Sequence, residues 1–521
     1  MEAFARTNGS CIGEPVAGDG RNIWKTMRRN NPHIYEINLM TWLCELSKKE
    51  ERAFGLCDIP MRQWETLKGQ GMDAVWLMGI WERSPFSERE ARNGEALREE
   101  CKKILEDFQL DDLGGSPYAI RAYRPEHRFG TLDDLAKLRK KLSKIGMGLI
   151  LDFVPNHTAC DHIWISQRPY YYINSIPEAA STCPEGFFLP SSAKDPICIA
   201  HGRDPYFPPW TDTAQLDYSK PDTHKAMVQT LKKIGRYCDG VRCDMAMLVL
   251  NEVFSSTWSQ FVDKQETQEF WPYAIQTLKS ANEDFSFIAE VYWGMGKRLL
   301  EAGFDYVYDK DFYDALSDGD VNRLRRQLSE PVPDQERMLR FLENHDEPRA
   351  MEIFGPERIR AAMVVHATVP GAKLYHQGQF EGRKLRVPVQ LKRAPEEPVN
   401  RGICEFCNRL MAEVNRPVYR WGMWLFCAVD GWLDNHSCTN LLAWSLQLKQ
   451  EKRIIVVNFS PVSSQGRIRL PLNWLHGDCV MRFVDIFKGQ KYSYEMKEIR
   501  KNGLYVALDA WDFHFFILHC D

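Results

Sequence analysis

Eight short apolar runs recur through the chain and are separated by longer amphipathic stretches. They are Ile34–Asn38, Ala74–Ile80, Gly148–Val154, Gly240–Asp244, Phe285–Val291, Phe304–Tyr308, Met338–Glu343 and Ala372–Tyr375. Runs of this length suit buried strands, and the segments between them have helical spacing. In Leu132–Ile145, for example, Leu135, Leu138 and Leu142 share one helix face, with basic residues between them. Strands alternating with helices imply parallel βα units, and eight in one unit predict an α/β fold of the (β/α)8 TIM-barrel type.

Two stretches break this rhythm. From 158 to 217 the chain is rich in Pro, Tyr, Ser and Gly. That is too long for an ordinary βα loop, so an irregular subdomain inserted after the third strand is expected. From 415 to 521 short alternating runs take over, punctuated by turn residues: Trp424–Val429, Thr439–Leu446, Arg453–Phe459, Gly466–Leu470, Val480–Asp485, Gly503–Leu508 and Phe513–Leu518. These predict a C-terminal antiparallel β-sandwich. The expected organisation is an N-terminal arm over 1–30, a barrel over 31–414 that carries the 158–217 insertion, and an all-β domain over 415–521.

Composition excludes several alternatives. Lys plus Arg is 67 and Asp plus Glu is 71, a net charge of −4, without the basic excess of a general nucleic-acid binder. A hydrophobic share of 44% supports a large core rather than disorder. No apolar run is long enough to cross a membrane, and Met1–Gly20 lacks the apolar stretch of a signal peptide. The 15 cysteines are odd in number and scattered through apolar segments, as expected of reduced thiols in a cytoplasmic protein. Cys404 and Cys407 form one CxxC pair with no second pair at zinc-finger spacing, so they are expected to be packing thiols. No phosphate-binding glycine motif is present.

In a (β/α)8 barrel the site lies at the C-terminal ends of the strands. The third run ends in Asp152-Phe-Val-Pro-Asn156-His157 and the fourth in Asp239-Gly-Val-Arg242-Cys-Asp244. The fifth ends in Ile288-Ala-Glu290 and the seventh in Glu343-Asn344-His345-Asp346. Carboxylates, two His and one Arg would thus meet at one rim. Such a cluster can keep one carboxyl ionised and another protonated, which is the equipment for cleaving a glycosidic bond. Arg242 and Asp244, two apart on a strand, share a face, and the guanidinium would keep Asp244 ionised. Cys243 points the other way and is expected in the core.

The segments LDFVPNH, DGVRCD, FIAE and ENHD, in this order and at these strand ends, resemble the conserved regions of the α-amylase family, glycoside hydrolase family 13. Gly115-Ser-Pro-Tyr118 with Phe129-Gly130-Thr131 resembles a further landmark of that family. The resemblance runs from about Asn31 to the C-terminus. It implies a retaining glycoside hydrolase acting on α-glucosidic bonds of α-glucans or maltooligosaccharides through a covalent glycosyl-enzyme. On this resemblance Asp244 matches the nucleophile, Glu290 the general acid/base, and Asp346 the carboxylate that binds ring hydroxyls and supports the transition state. His157 and His345 match hydroxyl-binding residues, Tyr118 the aromatic that stacks on the sugar, and Asp152 a supporting residue. Asn156 matches a position that binds calcium in many members, but no further ligand can be identified here, so no cofactor or metal is assigned.

The sequence also departs from the family pattern. Where many members carry Lys-His or a lone His after the nucleophile, this chain has Met245-Ala246-Met247-Leu248. Ala122 replaces a common Asp. The acceptor side is therefore built differently, which leaves a transglycosidase with the same three carboxylates as an alternative. A non-catalytic binding scaffold is a second alternative, disfavoured because all three carboxylates are present. Tyr206, Phe207 and Trp210 in the insertion offer either a sugar platform or a small core. The expected partner is an α-glucan or maltooligosaccharide, with no nucleic acid or membrane.

Overall fold

The computed structural model describes residues 31–176, 185–190, 197–262, 268–475 and 479–520. The N-terminal arm expected over 1–30 lies outside the described residues. Eight parallel strands close into a barrel: β1 (His33–Asn38), β2 (Ala74–Met78), β3 (Gly148–Phe153), β4 (Gly240–Cys243), β5 (Ser286–Ala289), β6 (Tyr306–Tyr308), β7 (Met338–Arg340) and β8 (Ala372–His376). Each pairs with its sequence neighbours, and β1 closes the ring by pairing in parallel with β8, Ile34 opposite Leu374. β1, β2, β3, β4, β5 and β8 are buried along their whole length. Burial on both faces explains why they read as continuous apolar runs.

The helix before β3, Leu132–Lys144, shows how sequence sets an element. Thr131 and Asp134 form a capping box: the Thr131 hydroxyl accepts from the Asp134 amide, and the Asp134 carboxylate accepts from the Thr131 amide. This satisfies donors that the first turn leaves free. Leu135, Leu138 and Leu142 are the buried face, while Arg139 reaches Asp239 before β4.

Gly371 enters β8 with φ +97°, and a β-carbon there would lie 2.6 Å from Met338 O and 2.7 Å from Gln335 O. Both obstacles are backbone atoms that cannot swing away. Gly371→Ala is expected to destabilise the barrel by about 2 kcal/mol or more, read as a lowered denaturation midpoint.

Two excursions leave the barrel at the C-terminal ends of its strands. After β3, His157–Ala159 pairs antiparallel with Thr213–Gln215, and a small sheet is formed by Asn174–Ser175, Cys198–Ala200 and Phe187–Phe188. After β2, a hairpin of Trp81–Arg83 with Ile120–Pro125 encloses helices Pro85–Asn93 and Glu95–Ile104. This second excursion is not legible in the sequence, because its charged helices look like barrel helices.

Behind the barrel, two antiparallel sheets form the C-terminal sandwich. The larger contains β9 (Met423–Phe426), β11 (Leu441–Leu448), β12 (Glu451–Asn458), β17 (Phe513–Cys520), β14 (Val480–Asp485) and β15 (Lys491–Glu495), in that order. The smaller contains β10 (Val429–Asp430), β13 (Ser464–Ile468) and β16 (Leu504–Leu508). The run read as one strand over Trp424–Val429 splits between the two sheets. β15 lies at an edge and its side chains alternate between exposed and half-buried, so no apolar run announces it. Buried Arg453 binds Glu413 of helix Arg401–Val414 at 2.8 Å, tying the sandwich to the barrel. Among the described residues no helix is long and apolar enough to cross a membrane.

Candidate active site

The inward-facing residues at the ends of β3, β4, β5 and β7 converge on Arg242. This side chain is 1% exposed. Its Nη1 lies 2.8 Å from Asp244 Oδ1 and 3.6 Å from Asp152 Oδ1, and its Nη2 lies 2.8 Å from Glu290 Oε2. Nε donates to the Tyr308 hydroxyl at 3.3 Å. The guanidinium also lies against the rings of Trp76 and Tyr118, at 5.1 and 5.2 Å. One planar cation therefore ties two carboxylates into one small pocket, which its fork geometry permits and an ammonium would not. Cys243 faces away and is fully buried.

The chain turns sharply after Asp244. Met245 has φ +42°, a left-handed conformation that costs a non-glycine residue on the order of 1 kcal/mol. The turn aims the Met245 amide at Glu290 Oε2, 2.7 Å away, and the Ala246 amide at the Glu290 carbonyl. The Tyr292 hydroxyl donates to Glu290 Oε1 at 3.0 Å. Burial raises the Glu290 carboxyl to about 7, against the pull of Arg242. Burial also raises Asp244, opposed by the charge and hydrogen bond of Arg242. Asp152 is raised to about 6, again by burial, and is held through the Gly79 amide at 3.3 Å.

From β7, His345 Nε2 lies 3.0 Å from Asp346 Oδ2 and 2.6 Å from the Tyr118 hydroxyl, and the two rings stack at 5.4 Å. Its Nδ1 meets Glu36 of β1 at 2.5 Å. Burial works against the imidazolium, but Asp346 and Glu36 outweigh it and hold His345 well above the usual histidine range. Enclosure works against the Asp346 carboxylate, but His345 and then Arg242 hold it down to about 2. The Asp346 side chain nevertheless remains 45% exposed, so its ionised oxygens face open space.

Tyr118, Arg242, Asp244, Glu290, His345 and Asp346 are thus joined by direct contacts. His157 stands beside the Tyr118 backbone, 3.3 Å from the Asn156 amide and against Trp210. Burial lowers it to about 4, so it is neutral. Glu36, Tyr292 and Tyr308 complete the shell and were missed in the sequence. Their only signal is a polar atom inside or just after an apolar run. Glu343, in contrast, is turned away and bound to Arg349 at 2.6 Å.

Among the described residues, none joins Asn156 in a group of acidic ligands. Both atoms of its buried amide are taken up by Gln215, at 3.0 and 3.2 Å. Among the described residues no group of three or more His, Cys, Asp or Glu could hold a metal ion.

Beside Glu290, the ends of β4, β5 and β6 enclose a cavity of about 730 Å³, lined by Met245, Tyr292, Trp293, Phe207 and Lys310 among others. Tyr206 and Phe207 are 69% and 66% exposed, so they form no small core, whereas Trp210 packs inward on His157. Cys404 and Cys407 lie on helix Arg401–Val414 as free thiols, Cys407 buried.

Comparison with known proteins agrees with this architecture. The chain is 24% identical over 364 residues to Alpha-amylase MalA of Haloarcula japonica, covering 68% of this chain and 44% of that protein. It is 22% identical over 300 residues to Probable oligo-1,6-glucosidase 2 of Bacillus subtilis, covering 49% and 53%. The chain therefore spans about half the length of these relatives. Among solved structures, maltogenic alpha-amylase AmyB from Thermotoga neapolitana superposes with a TM-score of 0.65 at 19% identity, covering 94% of this chain and 98% of that one. The Geobacillus thermoleovorans alpha-amylase, solved with acarbose, gives 0.63 at 17% identity, covering 95% and 99%. The sequence model of the alpha-amylase catalytic domain matches residues 61–384, more than half of the 521. With that match laid over the barrel and its strand-end cluster, the chain belongs to the α-amylase family.

Proposed function

We propose that the protein is a retaining glycoside hydrolase acting on α-glucosidic bonds of α-glucans or maltooligosaccharides. The observation that carries this reading is the Arg242 bridge between Asp244 and Glu290. It fits a retaining pair, whose carboxyls stand about 5–5.5 Å apart. Glu290, raised to about 7, is protonated over much of the neutral range and can give its proton to the leaving oxygen. Asp244 attacks the anomeric carbon and forms the glycosyl-enzyme. Glu290, now ionised, takes a proton from the water that attacks next. Asp346, ionised and open to the cleft, accepts hydrogen bonds from ring hydroxyls. His345 holds Asp346 in place, His157 lines the opposite wall, and Tyr118 lends a ring face. Among the described residues twelve cysteines are free thiols, which supports a reducing, cytoplasmic setting.

The test is product analysis with maltoheptaose and with an α-1,6-linked counterpart, followed by proton NMR and chromatography. Shorter products that appear first as α-anomers are expected. Products first seen as β-anomers would overturn retention, and no cleavage of either substrate would overturn the glucan reading. The apolar Met245, Phe207 and Trp293 on the leaving-group side favour one second reading, transfer to a sugar acceptor. Products longer than the starting sugar would establish it.

A further inference from the structure

The site opens unequally on its two sides. If Glu290 protonates the leaving oxygen, the leaving group lies on the Glu290 side, where the 730 Å³ cavity begins. That volume falls within the range of about 300–1,000 Å³ found for ligand clefts. Its rim carries exposed aromatic faces: Trp293, with φ +58°, meets Tyr206 edge-on at 4.8 Å. This side can receive an extended leaving group.

On the other side, past His345 and Asp346, a chain segment crosses the rim among the described residues. Residues 377–400 leave β8, cross the end of β1, and fasten onto the excursion that follows β2. Arg386 donates to the Asp346 carbonyl at 3.2 Å and to Glu100 at 2.6 Å. Lys392 binds Glu88 at 3.1 Å. Arg393 grips both carboxylate oxygens of Asp112, at 2.7 and 2.8 Å, and reaches Asp107 at 2.9 Å. Backbone bonds run alongside: the Gly114 amide donates to Gln390 O and the Lys392 amide to Asp112 O, both at 2.8 Å.

Isolated surface ion pairs contribute little to holding a segment in place. This seam adds a two-pronged arginine, a short antiparallel bridge between Leu113 and Leu391, and a plug of buried Cys101, Leu105, Leu113 and Leu391. Beneath it, the space bounded by Asn38, His345, Arg349, Arg383, Arg386 and Val387 is about 20 Å³. That holds about one water and no sugar ring.

The sugar under attack sits between Asp244 and Asp346. Any sugar attached to its own hydroxyls, toward the non-reducing end, would have to pass through this wall. We infer that the seam between residues 377–400 and the β2 excursion makes the site a pocket one sugar deep on that side. The enzyme then removes units from non-reducing chain ends instead of cutting within chains. This rests on the hydrolase reading above.

The test compares 4-nitrophenyl maltoheptaoside and its α-1,6-linked counterpart, each with the non-reducing glucose either free or capped by a 4,6-acetal. The full chain is used, with chromatography of all products. The free-ended form of the cleaved linkage is expected to release glucose stepwise, and its capped form to react at least 100-fold more slowly. Comparable cleavage of capped and free forms overturns the pocket while leaving the hydrolase reading intact. Cleavage of none of the four overturns the hydrolase reading, and the inference with it. Arg393→Ala, remote from the reacting groups, is expected to raise cleavage of the capped substrate at least tenfold relative to the free one. An unchanged ratio in a folded variant overturns the role of the seam.

Discussion

Glu290→Gln is expected to lower kcat on unactivated glucans by about 10²–10⁴-fold or more, because in the proposed mechanism proton transfer by this residue serves both half-reactions. An α-glucosyl fluoride, whose leaving group needs no proton, should lose less in the glycosylation step, and that difference separates lost acid catalysis from lost structure. The wild-type activity should fall as pH rises through about 7, where the Glu290 proton is lost. Stability should move in the opposite sense in the variant. The folded-state pKa of Glu290 is raised from 4.5 to about 7. Its proton therefore stabilises the fold below the unfolded value, and that contribution is lost as pH rises through the folded one. A shift of this size is worth on the order of 3 kcal/mol. Glutamine carries no charge to bury. The variant should therefore melt a few degrees above the wild type at pH 8 and come level with it near pH 4. A variant that melts lower at pH 8 would mean that the ion pair with Arg242 outweighs the burial of Glu290.

The strand-end side chains could be collected from the sequence because period two on a barrel strand sends alternate residues inward. Arg242 and Asp244 declare a shared face by spacing alone, as Leu135, Leu138 and Leu142 do on their helix. What could not be read are partnerships across great sequence distance. Glu36 sits inside the run His33–Asn38 and looks like an interruption of a buried strand. Its reason is His345, 309 residues away. Tyr308 ends an apolar run and shows its hydroxyl's role only when Arg242 arrives beside it. The seam that closes the pocket was equally silent, because Arg386, Lys392 and Arg393 read as solvated charges until the β2 excursion supplies Glu100, Glu88 and Asp112. The strand Lys491–Glu495 escaped for a different reason: at a sheet edge it buries too little to need an apolar face.

Arg242→Met should have the largest structural effect of any substitution at the site. The methionine fills part of the space but leaves Asp152, Asp244 and Glu290 buried without the cation that lies within 2.8–3.6 Å of all three. Removing one partner of a buried ion pair costs about 3–5 kcal/mol. The sign with pH is fixed by the carboxyls. Asp244, Glu290 and Asp152 are already raised by burial, and each is pulled down by Arg242. Without it their folded pKa values climb further, so the variant should be least destabilised near pH 4.5 and most at pH 8, as read by denaturant midpoints. Activity should fall for a separate reason. Asp244 would hold its proton at neutral pH and could not attack, so the acid limb of the pH–kcat/KM profile should move upward. Arg242→Lys restores the charge but not the fork, and can meet Asp244 or Glu290 but not both. It should recover stability before it recovers rate. Pairing Arg242→Met with Asp152→Asn tests the electrostatic origin directly. Removing a carboxylate that takes no part in the proposed chemistry should return part of the lost stability while leaving the rate low. If the double variant is no more stable than Arg242→Met alone, the loss comes instead from the packing of the guanidinium against Trp76 and Tyr118.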